Sequence, residues 1–168
     1  MSEYVFGYIL GLERNITFHQ QAQSQCSWTP KLPGRLKDKT IGIMGTGSIG
    51  QHIASTAQHF GMQVLGFSYS GSSKPNFEKC FTIEQLHSFL SDCDYVVCTL
   101  PDTSATTNLI NQAAFEAMKS SAWLINVGRG IVVDETALLE ALNTKAIAGA
   151  VLDAVSYTHL TLPTIYSV

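Results

Sequence analysis

The chain has 168 residues, 45% of them hydrophobic and 14% charged, enough for one sizeable core and too few for two full domains. A formal net charge of -3 and a pI near 5.9, with no block of Lys or Arg, exclude the electrostatic footprint of a nucleic-acid or anionic-membrane binder and favour small-molecule partners. The longest apolar run, residues 4–12, falls far short of the ~20 residues of a membrane span, and the start carries no positive charge.

In chain order, residues 2–25 carry Val5, Tyr8, Ile9, Leu12, Ile16 and Phe18 near helical spacing, which predicts a helix with one packed face lying ahead of the main core. Pro30 and Pro33 break it, and residues 29–39 read as a linker. Residues 40–44 are a buried strand that runs into Gly45, Gly47 and Gly50, followed by a helix over 48–60 and a second strand over 63–67. A Ser/Gly/Pro loop covers 68–76, and Thr82 with Gln85 forms a capping box for a short helix through Leu90. Residues 95–100, 123–127 and 147–152 read as strands, with helices capped by Asn111 and Asp134 between them. Strands apolar throughout, alternating with helices, predict an α/β, doubly wound parallel sheet covered on both faces.

The G-x-G-x-x-G spacing between strand and helix is the junction a dinucleotide needs. Gly45 permits the tight turn, Gly47 lets backbone approach a pyrophosphate, and Gly50 lets the helix lie close on the sheet. The helix starting at Ser48 and Ile49 offers free N–H groups and a positive dipole end to the phosphates. Ligands of such sheets sit beyond the carboxyl ends of strands, so the residues to watch are 45–50, 68–74, 100–107, 128–130 and Asp153. An NAD site places a carboxylate about 20 residues past the glycines. Here no acidic residue lies between Gly50 and Glu78, and the position holds Ser68, Tyr69 and Ser70, then Ser72, Ser73 and Lys74. Hydroxyls with one cation and no carboxylate favour NADP over NAD; the competing reading is a polar loop that discriminates poorly.

Cys26, Cys80, Cys93 and Cys98 have neither C-x-x-C nor paired Cys/His spacing, so they read as reduced thiols of a cytoplasmic protein, with no metal site. Cys98 reads as a core residue, and His52 and His59 as solvated helix residues.

The segments Glu3-Tyr4-Val5, residues 10–15, Trp28, the glycine turn, Phe60-Gly61-Met62, Leu100-Pro101 with Thr103 and Thr106, Leu109-Ile110-Asn111, Met118-Lys119, residues 124–130, Val133-Asp134-Glu135, Ala137-Leu138 and residues 149–153 resemble, in one order, the D-isomer-specific 2-hydroxyacid dehydrogenases, more narrowly their glyoxylate and hydroxypyruvate reductase members. The resemblance implies that Gly47, Ser48, Ile49 and Gly50 hold the pyrophosphate. It also implies that Leu100, Pro101 and Thr106 line the adenosine side, and that Val127, Gly128 and Asp153 lie near the nicotinamide. Arg129 matches the substrate arginine, whose guanidinium fork pairs with a 2-oxoacid anion and stabilises charge developing on its carbonyl oxygen. A homodimer is implied as well.

The likeness stops near Ala154. The family's later glutamate and histidine find no counterpart in residues 155–168, where Thr158 and His159 stand outside any matching segment, so this tail is expected to be foreign to the family. Most of the family's substrate domain would precede residue 2, and the chain by itself is expected to be nearly inactive. Two other readings stand beside the enzyme: a nucleotide-responsive corepressor on the same scaffold, and a fragment that does not fold stably alone.

Overall fold

The computed structural model describes residues 1–153 and the backbone of 165–167. The expectation for the 155–168 tail lies outside the described residues, apart from that short stretch of backbone.

The first 25 residues are two helices instead of one. The first, α1, is Ser2–Glu13, and its apolar residues Val5, Phe6 and Ile9 are buried. Asn15 then takes the left-handed conformation (φ 53°), which Asn tolerates better than most residues, and α2, Ile16–Ser24, starts afresh and buries no residue. Apolar periodicity ran through this break because a single left-handed residue leaves the spacing of its neighbours intact. A second correction concerns placement. Val5, Phe6 and Ile9 pack with Ile41, Ile43, Ile53, Ala54 and Ala57, so α1 belongs to the main core. Each such side chain contributes about 1.5–3 kcal/mol of burial.

The sheet elements follow: β1 Thr40–Met44, β2 Gln63–Phe67, β3 Lys79–Phe81, β4 Tyr95–Cys98, β5 Trp123–Asn126, β6 Gly149–Leu152 and β7 Ile165–Ser167. All pairings are parallel, in the order β3-β2-β1-β4-β5-β6-β7. The chain winds outward from β1 in one direction through β2 and β3, then crosses back to β4 and continues the other way. This reversal opens a crevice between the carboxyl ends of β1 and β4. Neither β3 nor β7 was expected; three residues are too few to carry a hydrophobic pattern.

Helices α3 (Ser48–His59), α4 (Leu86–Asp92), α5 (Gln112–Ala117) and α6 (Glu135–Asn143) complete the layers. One face of the sheet presents Ile41, Ile43, Tyr95, Val97, Ile125 and Val151 to α1 and α3. The other presents Met44, Val96, Cys98, Leu124, Ala150 and Leu152 to the residues of α4, α5 and α6. The central strands are therefore apolar along most of their length because they feed two cores. The anticipated caps are present: Asn111 and Asp134 accept from the N–H groups of Ala114 and Ala137 at 3.1 Å, and Thr82 with Gln85 closes the capping box.

At the amino ends of the strands the polar groups are mutually satisfied. Asp94 accepts from the Thr40 N–H at 2.8 Å and pairs with Lys119 at 3.0 Å, while Glu13 takes both the Tyr95 hydroxyl (2.5 Å) and Lys39 (3.0 Å). Burial and then the neighbouring Glu13 push the Tyr95 hydroxyl above the usual tyrosine range. The linker is pinned here too, since the Gly34 N–H donates to the Glu13 carbonyl at 2.8 Å and Leu36 is buried.

Candidate functional site

The carboxyl ends of the strands are built differently. β1 passes through Gly45 into α3 with Gly45 at φ 106°, a value that L side chains rarely adopt. A Cβ there would stand 2.5 Å from the Thr99 hydroxyl, and one on Gly50 would run into the Gly45 carbonyl, so turn and helix are as close as backbone allows. Thr99, just past β4, has its hydroxyl 3.0 Å from the Met44 carbonyl and 3.2 Å from that of Gly45, which clips the turn to the neighbouring strand across the crevice.

The mouth of the turn is open. Gly47 caps α3 with no side-chain hydrogen bond, and a Cβ on Gly47 would meet no atom within 4 Å. Gly47, Ser48 and Ile49 are exposed. First-turn N–H groups with the positive end of a twelve-residue helix behind them, reachable by backbone alone, make a seat for a phosphate.

Past β2, the Ser68 N–H donates to the Phe81 carbonyl at 3.1 Å, while its hydroxyl oxygen is buried without a hydrogen-bond partner among the described residues. A buried hydroxyl left unpaired is costly unless a ligand completes it. Tyr69 is 87% exposed, and Ser70 turns the loop through a 2.9 Å hydroxyl pair with Ser72. Lys74 lies close enough to Cys80 to oppose the burial that raises that thiol. This leaves a cation and several hydroxyls at the rim, with no carboxylate among residues 51–77.

Past β4, Leu100 is buried and Pro101 exposed, and the Thr106 hydroxyl lies 2.7 Å from the Pro101 carbonyl, folding the loop on itself. A parallel bridge between Ile110 and Val133 ties this loop to the one after β5, helped by the Ile110 N–H donating to Val132 at 3.0 Å. Past β5 come Val127 and Gly128, both buried, and then Arg129, exposed, with no carboxylate partner among the described residues. Past β6, the Asp153 N–H donates to the Asn126 carbonyl at 2.9 Å and the side chain is exposed. Tyr4 of α1 reaches the same region: burial first, then the neighbouring Tyr8 and Asp153, hold its hydroxyl above the usual tyrosine range.

The expected site residues thus lie on the loops that follow parallel strands or, for Ser48, Ile49 and Gly50, in the first turn of the helix after β1, along one edge of the sheet. Thr99 and Asn126 were not singled out beforehand. The signal for both was a polar residue ending an apolar run. Cys93 and Cys98 are buried thiols pushed up to about 12 and about 11, chiefly by desolvation, and Cys26 is exposed. His52 and His59 are exposed, and the described residues hold no cluster of three or more His, Cys, Asp or Glu able to bind a metal. Among the described residues no helix is long and apolar enough to cross a membrane.

The chain resembles known proteins along almost its whole length. Residues 6–163 match the family described as D-isomer specific 2-hydroxyacid dehydrogenase, NAD binding domain. Glyoxylate/hydroxypyruvate reductase A of Citrobacter koseri is 34% identical over 157 residues, which cover 93% of this chain and 50% of that protein. Among solved structures, a D-isomer specific 2-hydroxyacid dehydrogenase family protein from Aeromonas salmonicida superposes with a TM-score of 0.93 at 40% identity, covering 99% of this chain and 56% of that one. An NADPH-dependent glyoxylate/hydroxypyruvate reductase from Sinorhizobium meliloti, solved with NADP and sulfate, superposes at 0.89 with 28% identity over the same shares. The chain spans about half the length of these relatives. It belongs to the D-isomer specific 2-hydroxyacid dehydrogenase family and corresponds to that family's NAD-binding domain.

Proposed function

We propose that this domain binds NADP in preference to NAD and serves the reduction of a small 2-oxoacid such as glyoxylate or hydroxypyruvate. The observation that carries the reading is the open, uncapped start of α3 at the crevice between β1 and β4. Gly45, Gly47, Ser48, Ile49 and Gly50 surround the pyrophosphate; Leu100, Pro101 and Thr106 face the adenosine; Val127, Gly128 and Asp153 border the nicotinamide. Once bound, the dihydronicotinamide supplies the hydride. The preference for the 2′-phosphate rests on the unpaired Ser68 hydroxyl, Tyr69, Ser70 and Lys74, with no carboxylate there to repel it.

Arg129 is the one catalytic residue assigned to the domain. Its guanidinium meets the planar carboxylate and carbonyl oxygens of the 2-oxoacid and stabilises the negative charge that grows on the carbonyl oxygen. A second copy of the chain completes the fold's outer side: α2 buries nothing, and Trp28 and Leu32 stand 94% and 93% exposed beside it. Sedimentation of the chain and of Trp28→Ser tests that arrangement, with a dimer expected for the first and a monomer for the second.

Calorimetric titration with NADPH and NADH tests the coenzyme reading. Binding of both with NADPH tighter by about tenfold is expected. Equal or tighter NADH removes the preference, and no heat with either on folded chain removes the site.

A further inference from the structure

Asn126 is the last residue of β5, and its side chain is wholly inaccessible to solvent. In the middle of a parallel sheet it pairs in register with Cys98 of β4 and Leu152 of β6. A polar side chain at such a position needs an occupation. Its Oδ1 accepts from the Gly128 N–H at 3.1 Å, and its Nδ2 donates to the Arg129 carbonyl at 3.2 Å. The same carbonyl accepts from the Val132 N–H at 3.2 Å, where a short 3-10 turn begins. The Val127–Gly128 and Arg129–Gly130 peptide units are therefore fixed, one on either side of the peptide that joins Gly128 to Arg129. A Cβ on Gly128 would stand 2.7 Å from the Leu100 carbonyl, so the loop also lies directly on the segment after β4. The Arg129 side chain, by contrast, is exposed, and its one side-chain hydrogen bond among the described residues is a long 3.5 Å reach to the Gly128 carbonyl.

We infer that Asn126 is a positioning residue: its amide clamps residues 127–129 on the edge of β5 so that Arg129 presents its guanidinium to an anionic substrate, and does so without adding charge. An amide is the side chain of this reach that combines one acceptor and one donor at zero net charge. A carboxylate at the same place would still accept from Gly128. It would meet the Arg129 carbonyl with lone pairs, and its negative charge would oppose the substrate anion that the arginine is there to hold. The inference rests on the reading of Arg129 as the oxoacid-binding group.

Oxalate, a planar dianion shaped like a 2-oxoacid, is the probe, titrated into the full chain and followed by NMR at the backbone amides of Gly130 and Ile131, which every variant retains, with NADPH affinity and amide exchange measured alongside. For Asn126→Ala the expected result is oxalate affinity weakened about tenfold, NADPH affinity within about twofold of the unaltered chain, and faster exchange at Gly128 with Leu124 and Ile125 unchanged. For Asn126→Asp, Gly128 stays protected while oxalate affinity falls further than in the alanine variant, a split that a purely structural role would not produce.

If Arg129→Ala abolishes the oxalate response and Asn126→Ala leaves it intact, the inference fails and the reading of Arg129 stands. Loss of protection throughout β5 in both Asn126 variants likewise overturns it, since the residue would then only hold up the sheet. An oxalate response unaffected by Arg129→Ala, or absent from an unaltered chain that binds NADPH, overturns the reading of Arg129 and the inference together.

Discussion

The two edges of the sheet are made of the same seven strands and follow opposite rules. At the amino edge, Asp94, Lys119, Glu13, Lys39 and Tyr95 satisfy one another, and α1, the linker, β1 and β4 are tied through them. At the carboxyl edge, Gly47 caps a helix with nothing, Ser68 buries a hydroxyl without a partner, and Arg129 extends toward solvent without a counter-ion among the described residues. One edge has used its polar groups on itself; the other leaves several without a partner among the described residues, where the proposed function places the ligand. Stability and binding are thereby separated along the strand direction, and mutations at the two edges should separate them in measurement.

The largest expected effect is on binding alone. Gly47→Val places a branched side chain where no protein atom lies within 4 Å and where the backbone φ of −75° accepts it. It should leave the melting temperature within about 2 °C and weaken NADPH at least about 100-fold, roughly 2.7 kcal/mol or more, by filling the phosphate approach. A fall in melting temperature to match would break the comparison. The mirror experiment is Asp94→Ala, which leaves the Thr40 N–H and Lys119 without their partner. It should cost about 2 kcal/mol in chemical denaturation while NADPH affinity of the folded protein holds.

Ser68→Ala sharpens the comparison at a smaller scale. Removing an unpaired hydroxyl should not destabilise the free protein, yet NADPH binding should weaken about three- to tenfold, with NADH affected less. The alkaline response stands apart, because it reports the burial of two thiols and not the polar groups of either edge. Cys93 and Cys98 ionise near 12 and 11 when folded, above the ordinary thiol value of 9.0, so the unfolded chain loses those protons first as pH rises. Their contribution is whole below about pH 9 and drains away as pH climbs to about 11–12. Near neutral pH, iodoacetamide should modify exposed Cys26 and leave both buried thiols unmodified, as read by mass spectrometry.

Much of the carboxyl edge was legible in the sequence because its chemistry is local: three glycines at fixed spacing, a run from residue 124 to 130 with an arginine, and a missing carboxylate after the second strand. The amino edge was not, because Glu13 and Tyr95, 82 positions apart, meet only through the fold. The break at Asn15 was hidden by periodicity on both sides of it, and β3 by its brevity. Asn126 stood in plain view within a motif, yet its two hydrogen bonds run to backbone, which sequence does not display.

The segment after β2 is anchored at both ends by its own strands, the Ser68 N–H to Phe81 at one end and the Glu78 N–H to Val64, at 2.8 Å, at the other. Between those anchors, residues 69–76 are largely exposed. A graft of different length and charge in place of residues 69–76, with buried Phe77 kept, would leave both layers of side chains undisturbed. On the proposed reading of Ser68, Tyr69, Ser70 and Lys74, coenzyme choice would therefore be modular, open to exchange by swapping one short cassette over an unchanged scaffold.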